Sequence, residues 1–68
     1  MELIRKQMLE LKGKKIIVFL KYAHINYPIK KSGMLLDCDD KFFVLDEIKD
    51  GKSTYVYDYV VQVMEERV

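Results

Sequence analysis

Residues 50–63, DGKSTYVYDYVVQV, decide what kind of chain this is. Asp50-Gly51 is a hairpin turn pair, because Gly51 can take a positive φ and a short aspartate side chain bonds nearby backbone. The residues that follow are strong strand formers. Tyr55, Tyr57 and Tyr59 fall at alternate positions, so they share one face if the strand stays regular through residue 59. DYVV (58–61) reads as a kink between a fourth strand, STYVY (53–57), and a fifth, QVMEE (62–66). A helix over 60–68 is the alternative, since Val60, Val61, Met64 and Val68 also fit a helical face, but the valines favour strand.

Upstream, SGMLLDCDDKFFVLDEI (32–48) reads as two strands joined at an acidic turn, where Asp39 and Asp40 bond the backbone. Met34, Leu36 and Cys38 are expected on one side of the second strand; in the third, Phe42 and Val44 oppose Phe43 and Leu45. AHINYPIKKSG (23–33) has no clean period and contains Pro28, which cannot donate to a ladder, so it reads as a loop or an edge. KKIIVFLKY (14–22) is apolar on both faces, the pattern of a central strand covered on each side. In MELIRKQMLELKG (1–13), Ile4, Met8 and Leu11 recur at helical spacing and Gly13 is placed as a stop, so an N-terminal helix of about three turns is the natural cover for one side.

A chain of 68 residues is one domain with a thin stability margin, since it buries only roughly 60% of the surface its unfolded form exposes. Half of its residues are hydrophobic, generous for this size, which points to further burial against another subunit. The single cysteine, Cys38, excludes an internal disulfide and a cysteine-built zinc site. With a charged start, no secretory leader and no membrane-length apolar run, a cytoplasmic protein is expected. The net charge of +1 hides an asymmetry. Residues 1–31 carry eight basic and two acidic side chains, and residues 32–68 four basic and nine acidic. Such a split fits a basic face toward phosphates, or opposite faces paired in an oligomer.

One helix followed by five short, bent strands in meander order is the plan of a mainly β, SH3-like or Sm-like antiparallel barrel, here a single domain over 1–68 with the helix at 1–12 and the barrel at 14–64. GKKIIVFL, SGMLL, the acidic turn, KFFVLDE, DGKSTYVY and VQV in that order resemble the Sm-like proteins and, within them, the Hfq type. Gly33 matches the glycine of their bent second strand. That resemblance implies RNA binding by a ring in which the fourth strand of one subunit pairs with the fifth of the next. It also implies that the pair at Lys41 and Phe42 contacts bases. The chain departs from it where Hfq-type proteins have a Lys-His pair lining the pore: Tyr57 is followed by Asp58 and Tyr59, and an acid there repels phosphate. The loop between the first two strands is also longer. The Veg family of small Firmicutes regulatory proteins is similar in its helix, its Gly-Lys lead into the first strand, a long basic loop ending like IKKSG, and a Tyr-x-Tyr on the fourth strand. That resemblance implies a regulatory role.

Catalytic chemistry is not expected. The only histidine, His24, sits in the proline-containing loop with no partner readable from sequence. Asp37 and Asp39 flank Cys38 beside a turn, and a hard cation would need further oxygen ligands. Gly13, Gly33 and Gly51 are isolated, so no phosphate-cradling loop is present. No enzyme, cofactor or metal is therefore expected. The tyrosines either pack, with cross-strand aromatic pairs worth up to about 1 kcal/mol each, or stack bases at about 1–3 kcal/mol each. The leading expectation is an RNA-binding homo-oligomer in which Phe42, Tyr55 and Tyr57 stack bases while Lys14, Lys15, Lys30, Lys31 and Lys41 meet phosphates. The alternative is a Veg-like module that binds a protein partner or a small anionic ligand without RNA.

Overall fold

The computed structural model describes residues 2–67. Val68, which entered the helical alternative for the tail, lies outside them. Helix α1 (Glu2–Leu11) is followed by β1 (Lys15–Leu20), β2 (Ile29–Cys38), β3 (Phe42–Glu47), β4 (Gly51–Val56), a 3-10 turn (Tyr57–Tyr59) and β5 (Val60–Glu65). The tail is thus strand up to Glu65. All neighbouring strands are antiparallel, in the order β4-β3-β2-β1-β5. β4 and β5 are the two edges, so the strands form one open sheet and not a closed barrel.

The inner face of this sheet makes the core. Ile16, Val18 and Leu20 of β1, Leu35 of β2, Phe43 and Leu45 of β3, and Val60 and Val63 of β5 are buried in one cluster with Tyr57 and with Met8 and Leu11 of α1. Residues from near both edges meet there only because the sheet curls. Burying each of the two helix side chains contributes about 2 kcal/mol. The helix is further fixed by Gln7, whose Nε2 donates to the Val63 carbonyl at 3.0 Å. Its exit is stitched to β2: Gly13 N–H donates to Leu35 O at 2.7 Å, and Leu35 N–H to Lys14 O at 2.9 Å. Gly13 (φ 86°) and Gly51 (φ 74°) occupy the left-handed region that side chains resist.

The curl originates in β2. Its first half pairs with β1 and its second half with β3, and the β3 register slips between Leu35 and Asp37. At the bend, a Cβ on Gly33 would lie 2.6 Å from the Asp46 carbonyl oxygen, so β2 and β3 approach closely only because this residue is glycine.

Four sequence expectations are corrected here. β2 begins at Ile29, so Lys30 and Lys31 belong to a strand rather than to the loop. The bulge at Leu36 reverses the alternation, so Leu35 is buried while Met34, expected to share a side with Leu36 and Cys38, is 40% exposed. β1 is central as expected, yet only its Ile16, Val18 and Leu20 side is covered; Ile17 and Phe19 are half-buried on the outer face. β4 ends at Val56, which places Tyr57 and Tyr59 in the 3-10 turn and separates them from Tyr55.

Candidate nucleic-acid interface

The tyrosine cluster is packing. Tyr55 stands opposite Phe43, their rings 5.5 Å apart at 28°, and the Tyr57 ring lies 5.5 Å from the same Phe43. Tyr57 is only 3% exposed, leaving no ring face for a base. Both hydroxyls are engaged: Tyr55 donates to the Glu47 carboxylate, and Tyr57 to the Asp39 carbonyl at 2.7 Å. Desolvation, with Glu47 adding to it, pushes the Tyr55 phenol up to about 12. Desolvation and the neighbouring Cys38 push Tyr57 up to about 12 as well. Tyr59 is 44% exposed, its ring 4.8 Å from Tyr22, which in turn lies 6.1 Å from His24. The loop carrying Tyr22 and His24 is pinned by Lys21, whose Nζ donates to the Tyr22 and Ile25 carbonyls.

The basic residues separate into three environments. Lys31 points to the inner side, its Nζ 3.9 Å from both the Glu47 and Asp50 carboxylates, so its charge is compensated within the chain. Lys41 closes the acidic turn and Phe42 opens β3. Phe42 is 44% exposed, but Asp37 and Asp39 border it in a shallow recess of about 70 Å³. Both acids stay ionised well into the acid range: Lys12, 3.1 Å away, holds Asp37 low. The backbone N–H groups of Lys41 and Phe42 hold Asp39 low. With Asp37 paired to Lys12, Asp39 is the carboxylate that opposes phosphate beside Lys41.

The third environment is the outer face of β1 and β2. Lys30 stands directly across from Phe19, and Lys15 lies on the same face of β1 as Phe19, with Ile17 between them. Ser32 faces Ile17 from β2, while Gln62 and Met64 face Phe19 and Ile17 from β5. Lys14 is exposed in the turn that leads into β1. This surface therefore combines aromatic and aliphatic area with three lysines and neutral polar groups.

Neither a family model, nor a curated protein, nor a solved structure matches this chain.

The structure thus sets Lys15 and Lys30 on one outer face, at opposite ends of the β1–β2 ladder about 13 Å apart, with Lys14 exposed just before β1; Lys41 and Phe42 lie at the far end of β2, and Lys31, Tyr55 and Tyr57 are withdrawn into internal contacts. Phe19 is the residue that sequence reasoning missed. Its signal was present: a strand apolar on both sides in a chain with one helix has one side left without cover. Among the described residues no group of three or more His, Cys, Asp or Glu side chains is arranged to hold a metal ion, and no helix is long and apolar enough to cross a membrane.

Proposed function

We propose that this chain is a cytoplasmic, RNA-binding module of Sm-like plan that acts as a homo-oligomer, with no catalytic role. The observation that carries the reading is Phe19, half-buried on the outer sheet face, set across from Lys30 and four residues along β1 from Lys15. A base laid on such a ring is worth about 1–3 kcal/mol, and lysines on either side meet the flanking phosphates. Phe42 with Lys41 is a weaker second contact because of its acidic border. The strand order, the Gly33 bend and the short turn between β4 and β5 support the Sm-like plan over other meanders.

The oligomer reading is supported by the edges. β4 and β5 each present one unpaired side, neither contains proline, and such edges recruit another strand. Antiparallel pairing of β4 with the β5 of a second copy brings Lys52 to the acidic end formed by Glu65 and Glu66. A contact of this kind is heterologous and closes into a ring when the rotation allows. Val61→Pro tests it, because Val61 is exposed at the β5 bulge, whereas Val63 is in the core and its replacement would disturb the fold itself. The expected result is a ring mass in solution for the parent chain and a shift toward monomer for the variant.

Fluorescence anisotropy with short A-rich and U-rich RNA at low salt tests the binding reading; no binding below roughly 100 µM overturns it. Asp58, exposed in the 3-10 turn, favours the second reading, a Veg-like regulatory module that binds protein or a small anionic ligand. A partner that stays bound through nuclease treatment and moderate salt supports that reading.

A further inference from the structure

β2 is longer than the strand beside it. Met34 is the first residue of β2 to pair with β3, opposite Asp46, and β3 ends at Glu47, where the chain turns through Ile48–Asp50 into β4. Ile29–Ser32 therefore pair with β1 alone, and their other edge has no backbone partner among the described residues. Between this edge and the Ile48–Asp50 turn lies a groove of about 430 Å³.

We propose that this groove accepts an extended, acidic segment of a partner protein, added to β2 as a further strand. A free strand edge offers alternating N–H and C=O groups, and an extended peptide backbone matches that alternation at the strand repeat. A phosphodiester has acceptors alone and meets the carbonyls as a repulsion. A second copy offering the same edge sets Lys30 and Lys31 against lysines, and like charges across a ladder destabilise it. Lysines on an edge block self-pairing in this way while leaving it open to a strand of opposite charge.

The charges in the groove choose the partner. Lys31 is compensated by Glu47 and Asp50, and Glu47, 6% exposed, is further held by the Tyr55 hydroxyl. Lys30 and Lys49 line the same groove with no ion pair among the described residues. At its lip Ile48 is 94% exposed and meets an apolar side chain of the incoming strand. The partner segment is therefore short, extended, and alternates apolar with acidic residues.

The test uses the full chain, isotope-labelled, with amide shifts followed as blocked peptides alternating valine with glutamate, or valine with lysine, are added. The glutamate peptide is expected to shift Ile29–Ser32 and Ile48–Asp50 and to saturate with a Kd on the order of 100 µM; the lysine peptide is expected to leave them unmoved. The double variant Lys30→Glu, Lys49→Glu, both exposed and outside the core, is expected to reverse that preference. The proposal is overturned if the glutamate peptide gives no saturable shifts, or if the shifts centre on β4 or β5. It is equally overturned if oligouridine, expected on the Phe19 face beside Lys30, moves the Ile48–Asp50 amides more strongly than the glutamate peptide does, or if charge reversal leaves the preference unchanged.

Discussion

Tyr55 and Tyr57 turn their rings onto Phe43 and bond both hydroxyls internally, whereas Phe19 lies half-buried on the outer sheet face, across from Lys30 and four residues along β1 from Lys15. By composition the first region is the more obvious binding surface, with tyrosines at alternate positions. The difference arises from where each strand ends and what lies over it. β4 stops at Val56, and the 3-10 turn swings Tyr57 beneath the sheet. β1 buries its Ile16, Val18 and Leu20 side in the core and leaves its other side half-buried. Aromatic content in a sequence measures ring area, while access to it is decided by the layers of the fold.

The contrast breaks first on stability. Tyr57→Ala is expected to cost about 3 kcal/mol, as other large-to-small changes at buried aromatic sites do, while Phe19→Ala, at a half-buried ring, costs about 1.5 kcal/mol. Urea midpoints of the two variants check this, and equal losses would make Phe19 a core residue. The tyrosines add an alkaline signature. In the folded chain Tyr55 and Tyr57 keep their protons up to about 12, against 10.0 for a free phenol. The folded state then binds more protons than the unfolded one between those values, so stability falls as pH rises through that window. Tyr55→Phe is expected to make the fall shallower in urea titrations repeated across that range. An unchanged slope would mean that Tyr55 is not buried as described.

Gly33→Ala comes next, at about 2 kcal/mol, because the added carbon meets the Asp46 carbonyl and that backbone must move. The bend at Gly33 lets β2 serve both regions, so a variant that keeps its urea midpoint would show that β2 and β3 do not approach as closely as the structure has them. Binding follows in size. Phe19→Ala is expected to weaken affinity for short RNA about tenfold, the loss of one stacked base, and Tyr55→Phe to leave it unchanged. If the two effects are reversed in anisotropy titrations, the tyrosine side is the interface.

Much of this plan was readable from residue order. The spacing of Ile4, Met8 and Leu11, the alternation of Ile16, Val18 and Leu20, and the turns at Asp39-Asp40 and Asp50-Gly51 each act within a few residues, where local chemistry decides. What escaped depends on neighbours distant in the chain. The Leu36 bulge reverses which side chains of β2 face the core, and it exists because β2 must leave β1 and join β3. Lys30 and Lys31 resemble loop residues until β1 is placed beside them. The outer site was half legible: Lys14, Lys15 and Lys30 were selected by charge, but Phe19 was assigned to a covered strand.

The smallest expected effect separates the two basic spots from each other. Lys30 stands across from Phe19 with no ion pair among the described residues, while Lys41 precedes Phe42 beside Asp39, which the Lys41 and Phe42 backbone N–H groups hold ionised. A lysine that neutralises one phosphate of a single strand contributes about 0.7 to the slope of log affinity against log salt. A lysine with a carboxylate alongside has its field cancelled locally and releases fewer counterions. Lys30→Ala is therefore expected to flatten the slope by about 0.7, with a loss of affinity on the order of threefold at low salt. Lys41→Ala is expected to leave both nearly unchanged. Anisotropy at four or more salt concentrations resolves the two slopes. Equal flattening by both variants would mean that the RNA runs from Phe19 to Phe42 across the whole outer sheet, and flattening by Lys41→Ala alone would move the interface to the β3 end.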